Sequence, residues 1–252
     1  MKRIIAGIIA LLFFFTVSIV LNTDSQTVSG IPRYGEFDLS ERNSHSYVTK
    51  SVNDTLKEVK FGSTIDAETG SANFVTSIVV NYRSFDTLGE VTVLFLSATG
   101  VGLLLGGDKK RLLSPIKASP VVKTAAKIVS PLLLILGAYV FTHGHLTPGG
   151  GFPGGAIIAA AFLLLVMVDD EKRAPALLKV LEGSMGLAYI LLGIGGLLIS
   201  GSFLQNFLPT GVVGNLFSAG LIPIVYSLIG LKVGAELSGI VDDFVSEGGD
   251  NI

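Results

Sequence analysis

The chain has 252 residues, of which 49% are hydrophobic and 15% charged, and its formal net charge is −2. Soluble domains carry roughly a quarter charged residues, so this composition indicates a membrane protein. The near balance of charge offers no basic surface for nucleic acid. The absence of cysteine excludes disulfides, thiolate metal sites and iron–sulfur clusters within this chain.

Six stretches are apolar enough to cross a bilayer as helices, since a crossing takes about 20 residues. They cover roughly residues 4–21, 74–105, 121–142, 154–168, 176–199 and 216–240. The first follows a basic start, as a signal peptide does, but its apolar core is long and no small-residue cleavage site follows Leu21. We therefore expect an uncleaved helix, and an all-α integral membrane protein with about six transmembrane helices.

Basic residues are concentrated in alternate loops. Lys2 and Arg3, the DKKR run 108–111 and the EKR run 171–173 would share one side of the membrane. The positive-inside rule makes that side the cytoplasm. This predicts that both termini are cytoplasmic and that the polar loop 22–73 lies outside.

The chain also divides along its length. Residues 106–120, GGDKKRLLSPIKASP, combine Gly, Pro and a basic run, which is typical of a cytoplasmic linker. It would join a two-helix module, residues 1–105, to a four-helix module, residues 121–252.

Three ionisable residues interrupt the second apolar stretch. Arg83, Asp86 and Glu90 are spaced to share one helix face. Arg83 and Asp86 can pair near the outer interface, and Gly89 is a candidate bend. Residues 91–105 give only ~22 Å of helix beyond Glu90, so this carboxyl must lie well inside the membrane. There it should face protein or water and be protonated or paired, which makes it a candidate ion carrier.

Two further candidates lie in the second module. Glu182 is about six residues into its helix, where it either serves ion transfer or pairs with Lys179 at the interface. Lys232 is flanked by apolar and small residues. It is either a member of a proton relay or, like Glu236 four residues on, it extends to the cytoplasmic interface from a helix that ends near Ile240.

The outer stretch THGHLTPGGGFPGG is unusual for a membrane protein loop. Its glycines and prolines preclude an ordinary helix through Pro148, Gly149, Gly150, Gly151 and Phe152, and we expect a helix to begin at Pro153. His143 and His145 either bind an ion or relay a proton, or are polar loop residues at the interface. The spacing of these histidines matches no metal-site motif.

The sequence resembles a known family at these residues. NYRSFDTLGEVTVLF resembles the RGFDTxxE signature at the C-terminal end of the large, MrpA-like subunit of Mrp-type cation/proton antiporters. In archaeal membrane-bound hydrogenases and related sulfane reductases, that piece is a separate small subunit, MbhE. FTHGHLTPGGGFPGG, VLEGSMGLAYILLGIGGLL and GLIPIVYSLIGLKVGAEL resemble, in that order, the four-helix MnhB/MrpB (MbhF-like) subunit. The two resemblances cover roughly residues 1–105 and 120–252.

The resemblance implies a plasma-membrane subunit of a complex that exchanges protons and sodium, with other antiporter subunits as partners. Redox subunits of a hydrogenase or sulfane reductase would join them if the complex is respiratory. Asp86 and Glu90 match acids important for antiport, and Pro148 and Phe152 match sensitive loop positions. The family loop usually reads GGGFQGG, whereas Pro153 stands here in place of the Gln.

Two principal hypotheses remain. In the first, the chain takes part directly in ion translocation; in the second, it is a scaffold subunit that conducts nothing. A stand-alone transporter is a third class, but no internal repeat supports it. No catalytic site or cofactor-binding loop is visible, so the transported H⁺ and Na⁺ would be the only ligands.

Overall fold

The computed structural model describes residues 2–22, 43–52, 56–60, 67–105, 118–168 and 176–247. The predicted basic runs 108–111 and 171–173 lie outside the described residues, as does the linker before residue 118.

Eight α-helices are found in the described residues. They are α1, Lys2–Asn22; α2, Asn43–Val48; α3, Phe74–Ser77; α4, Ser84–Leu104; α5, Pro120–Thr142; α6, Gly151–Val168; α7, Ala176–Ser200; and α8, Ile222–Glu247. A π-helical turn, Ile78–Tyr82, joins α3 to α4. Two isolated antiparallel bridges, Lys50–Glu58 and Ser51–Ala67, hold the loop before α3.

The helices confirm an all-helical membrane protein. Within the described chain, α4, α5, α6, α7 and α8 are each long and apolar enough to cross a bilayer. The first predicted span is also a helix, Lys2–Asn22, and the searched part of it, Gly7–Thr16, is apolar.

Three predicted boundaries differ from the structure. Helix α6 begins at Gly151 rather than Pro153, because the left-handed backbone ends at Gly150 (φ 144°). Helix α8 begins at Ile222 rather than near residue 216, because Ala219 (φ 68°) and Gly220 (φ 60°) form a left-handed turn that a helix cannot include. It then continues to Glu247, beyond the predicted end near Ile240.

The break in the second predicted span lies earlier than Gly89. The chain leaves the π-turn at Arg83, whose φ of −124° and ψ of 35° are not helical, and α4 starts at Ser84. Gly89 lies within α4. A π-turn at this point shifts the register between α3 and α4.

Contacts between residues define two compact units, residues 1–46 and 47–252. In the second unit α8 is the central helix and packs against α4, α5, α6 and α7. More than half of its span, 56%, is buried inside the protein, against 11% for α4. Side chains in α8 are therefore the ones most fully withdrawn from lipid.

Glycines allow α5, α6 and α8 to approach closely. A Cβ placed on Gly137 of α5 would lie 2.8 Å from the Gly154 carbonyl oxygen of α6, and a Cβ on Gly154 would lie 2.8 Å from that of Gly137. A Cβ on Gly155 would lie 2.7 Å from Cβ of Val233 in α8. Small residues at these crossings are the usual means by which membrane helices pack.

The loops at one end of the helices in the second unit are joined by hydrogen bonds. The Asn73 side chain donates to the carbonyls of Gly144 and Thr147, each at 3.1 Å. His145 donates through Nε2–H to the Leu216 carbonyl at 3.0 Å. The segments before α3, between α5 and α6, and between α7 and α8 therefore form one layer.

Candidate functional site

The α4 face begins with an exposed ion pair. Arg83, at the N-terminus of α4, pairs with Asp86 in the first turn, and both side chains are largely exposed. The predicted pairing of these two residues is therefore present. An exposed pair of this kind contributes little to stability, so its value lies in placing charge at the helix start.

Glu90 lies one turn further along α4. Its side chain is exposed, because Ser84, Thr87 and Val91 form the face that α4 buries. Glu90 has neither a hydrogen bond nor an ion pair with the described residues. Its charge interacts with Tyr189 of α7 and Tyr226 of α8, but neither hydroxyl bonds to it. The described part of this chain thus leaves the carboxyl without the pairing that a charge inside the membrane requires.

A buried pair of ionisable residues lies in α8. Lys232 and Glu236, one helical turn apart, form an ion pair in which the Lys232 ammonium donates to Glu236 Oε1. Their side chains are only 7% and 0% exposed. The interpretation in which both residues extend to the cytoplasmic interface is wrong, because α8 continues well beyond Ile240 and they lie within its buried face.

Residues of two neighbouring helices, α4 and α7, lie against this pair. The Lys232 ammonium lies over the Phe95 ring of α4, 5.2 Å from its centroid. A Cβ on Gly186 of α7 would lie 3.3 Å from Lys232 Cε. Glu182, one turn before Gly186 on α7, is close enough to Glu236 for their charges to interact. It forms no ion pair with Lys179 among the described residues.

The two predicted histidines lie in the loop between α5 and α6. His143 stacks on Tyr139 with the ring centroids 4.2 Å apart, and its Nδ1 lies 3.0 Å from Thr142 Oγ1. His145 is fully buried, and burial lowers its pKa below the ordinary 6.5. In the described residues no group of three or more metal-ligating side chains is found.

The glycine loop is shaped by packing. A Cβ on Gly149 would lie 2.8 Å from the Val140 carbonyl oxygen, and one on Gly150 would lie 3.3 Å from Tyr226 Cζ. A Cβ on Gly151 would lie 2.6 Å from Ile229, and Phe152 packs against the buried cluster to which Ile229 belongs. Pro148 remains exposed. The sequence motif therefore marks a close contact between this loop and α8.

An open cavity of about 970 Å³ lies at the α4 start. Its polar lining includes the Lys50–Glu68 ion pair (2.9 Å) and Tyr82, whose hydroxyl donates to Glu68 at 2.7 Å. The cavity reaches Ser84 and Phe85 at the first turn of α4. Water can thus approach the start of the helix that carries Glu90.

Sequence reasoning missed the burial of Glu236. It named this carboxyl only as an interfacial residue, because the helix was expected to end too early. The spacing of Lys232 and Glu236 did carry a signal, since residues four apart face each other on a helix. Their burial could not be predicted, because it depends on α4 and α7 packing over α8.

These features define a multi-pass membrane protein with ionisable side chains inside its spans. Residues 42–111 match the MbhE family, which is described as a component of MBH. Residues 121–239 match a family described as a domain related to the MnhB subunit of Na⁺/H⁺ antiporters.

Individual relatives agree with these family matches. The chain is 34% identical over 196 residues to the uncharacterized protein MJ1307 of Methanocaldococcus jannaschii, covering 66% of this chain and 74% of that protein. It is 36% identical over 90 residues to the B-type subunit of the Na⁺/H⁺ antiporter of Bacillus subtilis, covering 34% of this chain and 63% of that one.

Two solved structures are similar. One chain of the membrane-bound sulfane sulfur reductase, an archaeal respiratory membrane complex, matches with a TM-score of 0.69 and 38% identity over 96% of this chain and 99% of that chain. One chain of the Mrp complex from Dietzia sp. DQ12-45-1b matches with a TM-score of 0.58 and 25% identity, over 73% of this chain and 22% of that chain. The chain belongs to the family of Mrp/MBH-type antiporter-module membrane subunits, with an MbhE-type region followed by an MnhB-type region.

Proposed function

We propose that this subunit contributes directly to Na⁺/H⁺ translocation, and that Glu90 is the residue through which it does so. The observation that carries the proposal is a carboxyl on spanning helix α4, exposed on the chain and without a hydrogen bond or ion pair among the described residues. A charged carboxylate against lipid costs ~2.5–3.5 kcal/mol on insertion scales. In the assembled complex Glu90 therefore faces another subunit or a water-filled passage.

Asp86 and Arg83 have supporting roles in this proposal. They precede Glu90 on the same helix face and border the end at which the outer cavity opens. Their ion pair places one acid and one base where an ion would enter or leave the α4 face. Asp86 would then exchange the ion with Glu90, one turn deeper.

The complex we propose is respiratory, of the membrane-bound hydrogenase or sulfane reductase type. The similarity to a chain of the sulfane sulfur reductase over nearly the full length of both chains supports this assignment. Redox cofactors would reside in partner subunits, while this chain would handle only H⁺ and Na⁺. We also propose that both termini are cytoplasmic, and that the linker 106–120 separates a two-helix from a four-helix module.

Replacing Glu90 by Gln tests the proposal in the assembled complex. Antiport in membrane vesicles should be lost while the complex assembles normally, because Gln keeps the shape and removes the exchangeable proton. Glu58→Gln is the matched control, since that exposed carboxyl lies outside the spanning helices. Full antiport with Glu90→Gln would overturn the proposal.

A scaffold role is the second candidate. The close glycine contacts between α5, α6 and α8 favour it, because they serve packing and carry no charge. In that case Glu90→Gln would dissociate the complex, and antiport would fail only as a result of lost assembly. Gel filtration of the purified complex separates the two outcomes.

A further inference from the structure

The Glu236 carboxylate is satisfied on one oxygen only. Oε1 accepts the Lys232 ammonium, whereas Oε2 has no hydrogen-bond partner among the described residues. The residue is 1% exposed, so bulk solvent does not reach Oε2 in this chain. A buried oxygen left without a donor is costly when the carboxylate is ionised. A proton on Oε2 converts it into a neutral hydroxyl and so lowers that cost.

The charges around Glu236 do not balance. With all groups ionised, Lys232 contributes one positive charge, and Glu236 and Glu182 contribute two negative charges. From α4 the neighbour of Lys232 is the uncharged Phe95 ring, and α6 contains no ionisable residue. One added proton makes the cluster neutral.

The other charged residues of α4, α5 and α8 lie farther from Glu236 along the helix axes or make no bond to α8. On α5 the bases are Lys123 and Lys127, and neither makes an ion pair or hydrogen bond with the described residues of α8. On α8 the acids Asp242 and Asp243 follow Glu236 by more than one turn. On α4, Glu90 precedes Phe95 by five residues, or ~8 Å along the axis.

A proton suits this site better than a metal cation. A hard cation binds through several oxygen ligands, but the neighbours here are an aromatic ring, a glycine and the methylenes of Lys232. The ammonium already occupies the cationic position beside Oε1 and would repel a second cation. Glu182 is half-buried and therefore better able to reach water or a partner subunit.

We propose that Glu236 binds and releases a proton inside the membrane, with Lys232 holding Oε1 and Glu182 as the neighbouring acid. The proton adds to Oε2 and turns the carboxylate into a carboxylic acid, with no change of oxidation state. The site lies in the MnhB-type region, at a different helix face and level from Glu90. It deepens the proposed function by giving the proton a second binding group, but it does not depend on Glu90 carrying an ion.

Infrared spectroscopy of the purified complex tests this directly. A pH titration should show a buried carboxylic-acid band that disappears as the pH rises. The band should be absent in Glu236→Gln and retained in Glu90→Gln. Ser238→Ala, a change of a buried hydroxyl one half-turn further along α8, is the packing control and should retain the band. Loss of antiport in Glu90→Gln with an unchanged Glu236 band would support both proposals separately.

Several results would overturn the proton site. An unchanged spectrum in Glu236→Gln would do so, as would a band that vanishes in Glu182→Gln instead. A band altered at constant pH when potassium replaces sodium would assign the site to Na⁺. If Glu236→Gln alone does not assemble, Lys232→Met with Glu236→Gln removes both charges together and should likewise lack the band.

Discussion

At the scale of single residues, Lys232 and Glu236 form a buried ion pair in α8, the most buried of the described spanning helices. Removing one partner leaves the other charge buried alone, whereas removing both leaves two neutral side chains of similar size. Lys232→Met should therefore destabilise the complex by about 3–5 kcal/mol. Thermal unfolding in detergent should show this loss.

The double variant Lys232→Met/Glu236→Gln is the matched comparison. It should recover most of the lost stability, because no uncompensated charge remains. A double variant as unstable as the single one would mean that Lys232 stabilises by packing on Phe95 rather than by charge. The cycle thus measures how strongly the two residues are coupled.

His145 should make the layer of loops around it sensitive to acid. Burial lowers its pKa below the ordinary 6.5, so the unfolded chain binds a proton more readily than the folded one. The stability contribution is complete above about pH 6.5 and is lost as the pH falls toward the folded pKa. Thermal unfolding across this range should show a drop in the wild type.

The His145→Gln variant should show a smaller drop. Gln keeps an N–H that can donate to the Leu216 carbonyl, but it does not titrate. An equal drop in both proteins would place the acid sensitivity on another group.

At the scale of elements, the α5–α6 crossing depends on two glycines facing each other. Gly154→Ala would place a methyl group against the Gly137 carbonyl, so we expect a loss of about 1–3 kcal/mol from overpacking. Thermal stability of the complex measures it.

Gly183→Ala is the control for helix propensity. A Cβ there meets open space within this chain, and alanine favours a helix by ~0.5–1 kcal/mol over glycine. It should therefore be neutral or slightly stabilising. Equal losses in both variants would argue against the close contact as the cause, or would indicate that α7 is covered by a partner at Gly183.

The helices themselves were largely predictable from sequence. Apolar length alone locates five spans, because a bilayer imposes a strict requirement on length and composition. No pattern in the sequence marked the π-turn before Arg83. The left-handed turn at Ala219 was not predictable because it depends on bonds across the long α7–α8 loop, such as that from the Ala219 N–H to the Thr210 carbonyl. Asn206 illustrates this, as its side chain accepts from the backbone of Leu208 and Leu221 to hold that turn.

The candidate site was predictable only in part. The charged α4 face follows from helical spacing and was foreseen, including the Arg83–Asp86 pair. The direction in which Glu90 points depends on which face α4 buries, and that is set by its contact with α8. The burial of Glu236 depends on the same contact between α4 and α8. The direction of Glu90 and the burial of Glu236 were therefore unpredictable for the same reason.

At the scale of the whole molecule, orientation can be tested on a clean background because the chain contains no cysteine. Phe217 is 94% exposed in the loop between α7 and α8 and should lie outside. We expect Phe217→Cys to react with a membrane-impermeant thiol reagent added to intact cells. Val121 lies at the start of α5, at the other end of that helix from the loops that contact Phe217's loop. Val121→Cys should therefore react only in opened cells. The reverse pattern would contradict cytoplasmic termini.

The contacts that α8 makes with α3 and α4 also bear on how the protein is made. Tyr226 of α8 donates to Thr76 of α3, and these residues are 150 positions apart in the sequence. At ~5–20 residues per second, ribosomes need roughly 8–30 s to cover that distance. During this interval α4 resides in the bilayer with α8 still unsynthesised, and its polar Ser84 and Thr87, which are buried in the finished protein, are still uncovered. Membrane insertion factors that shelter polar helices would therefore act on this chain before its last helix emerges.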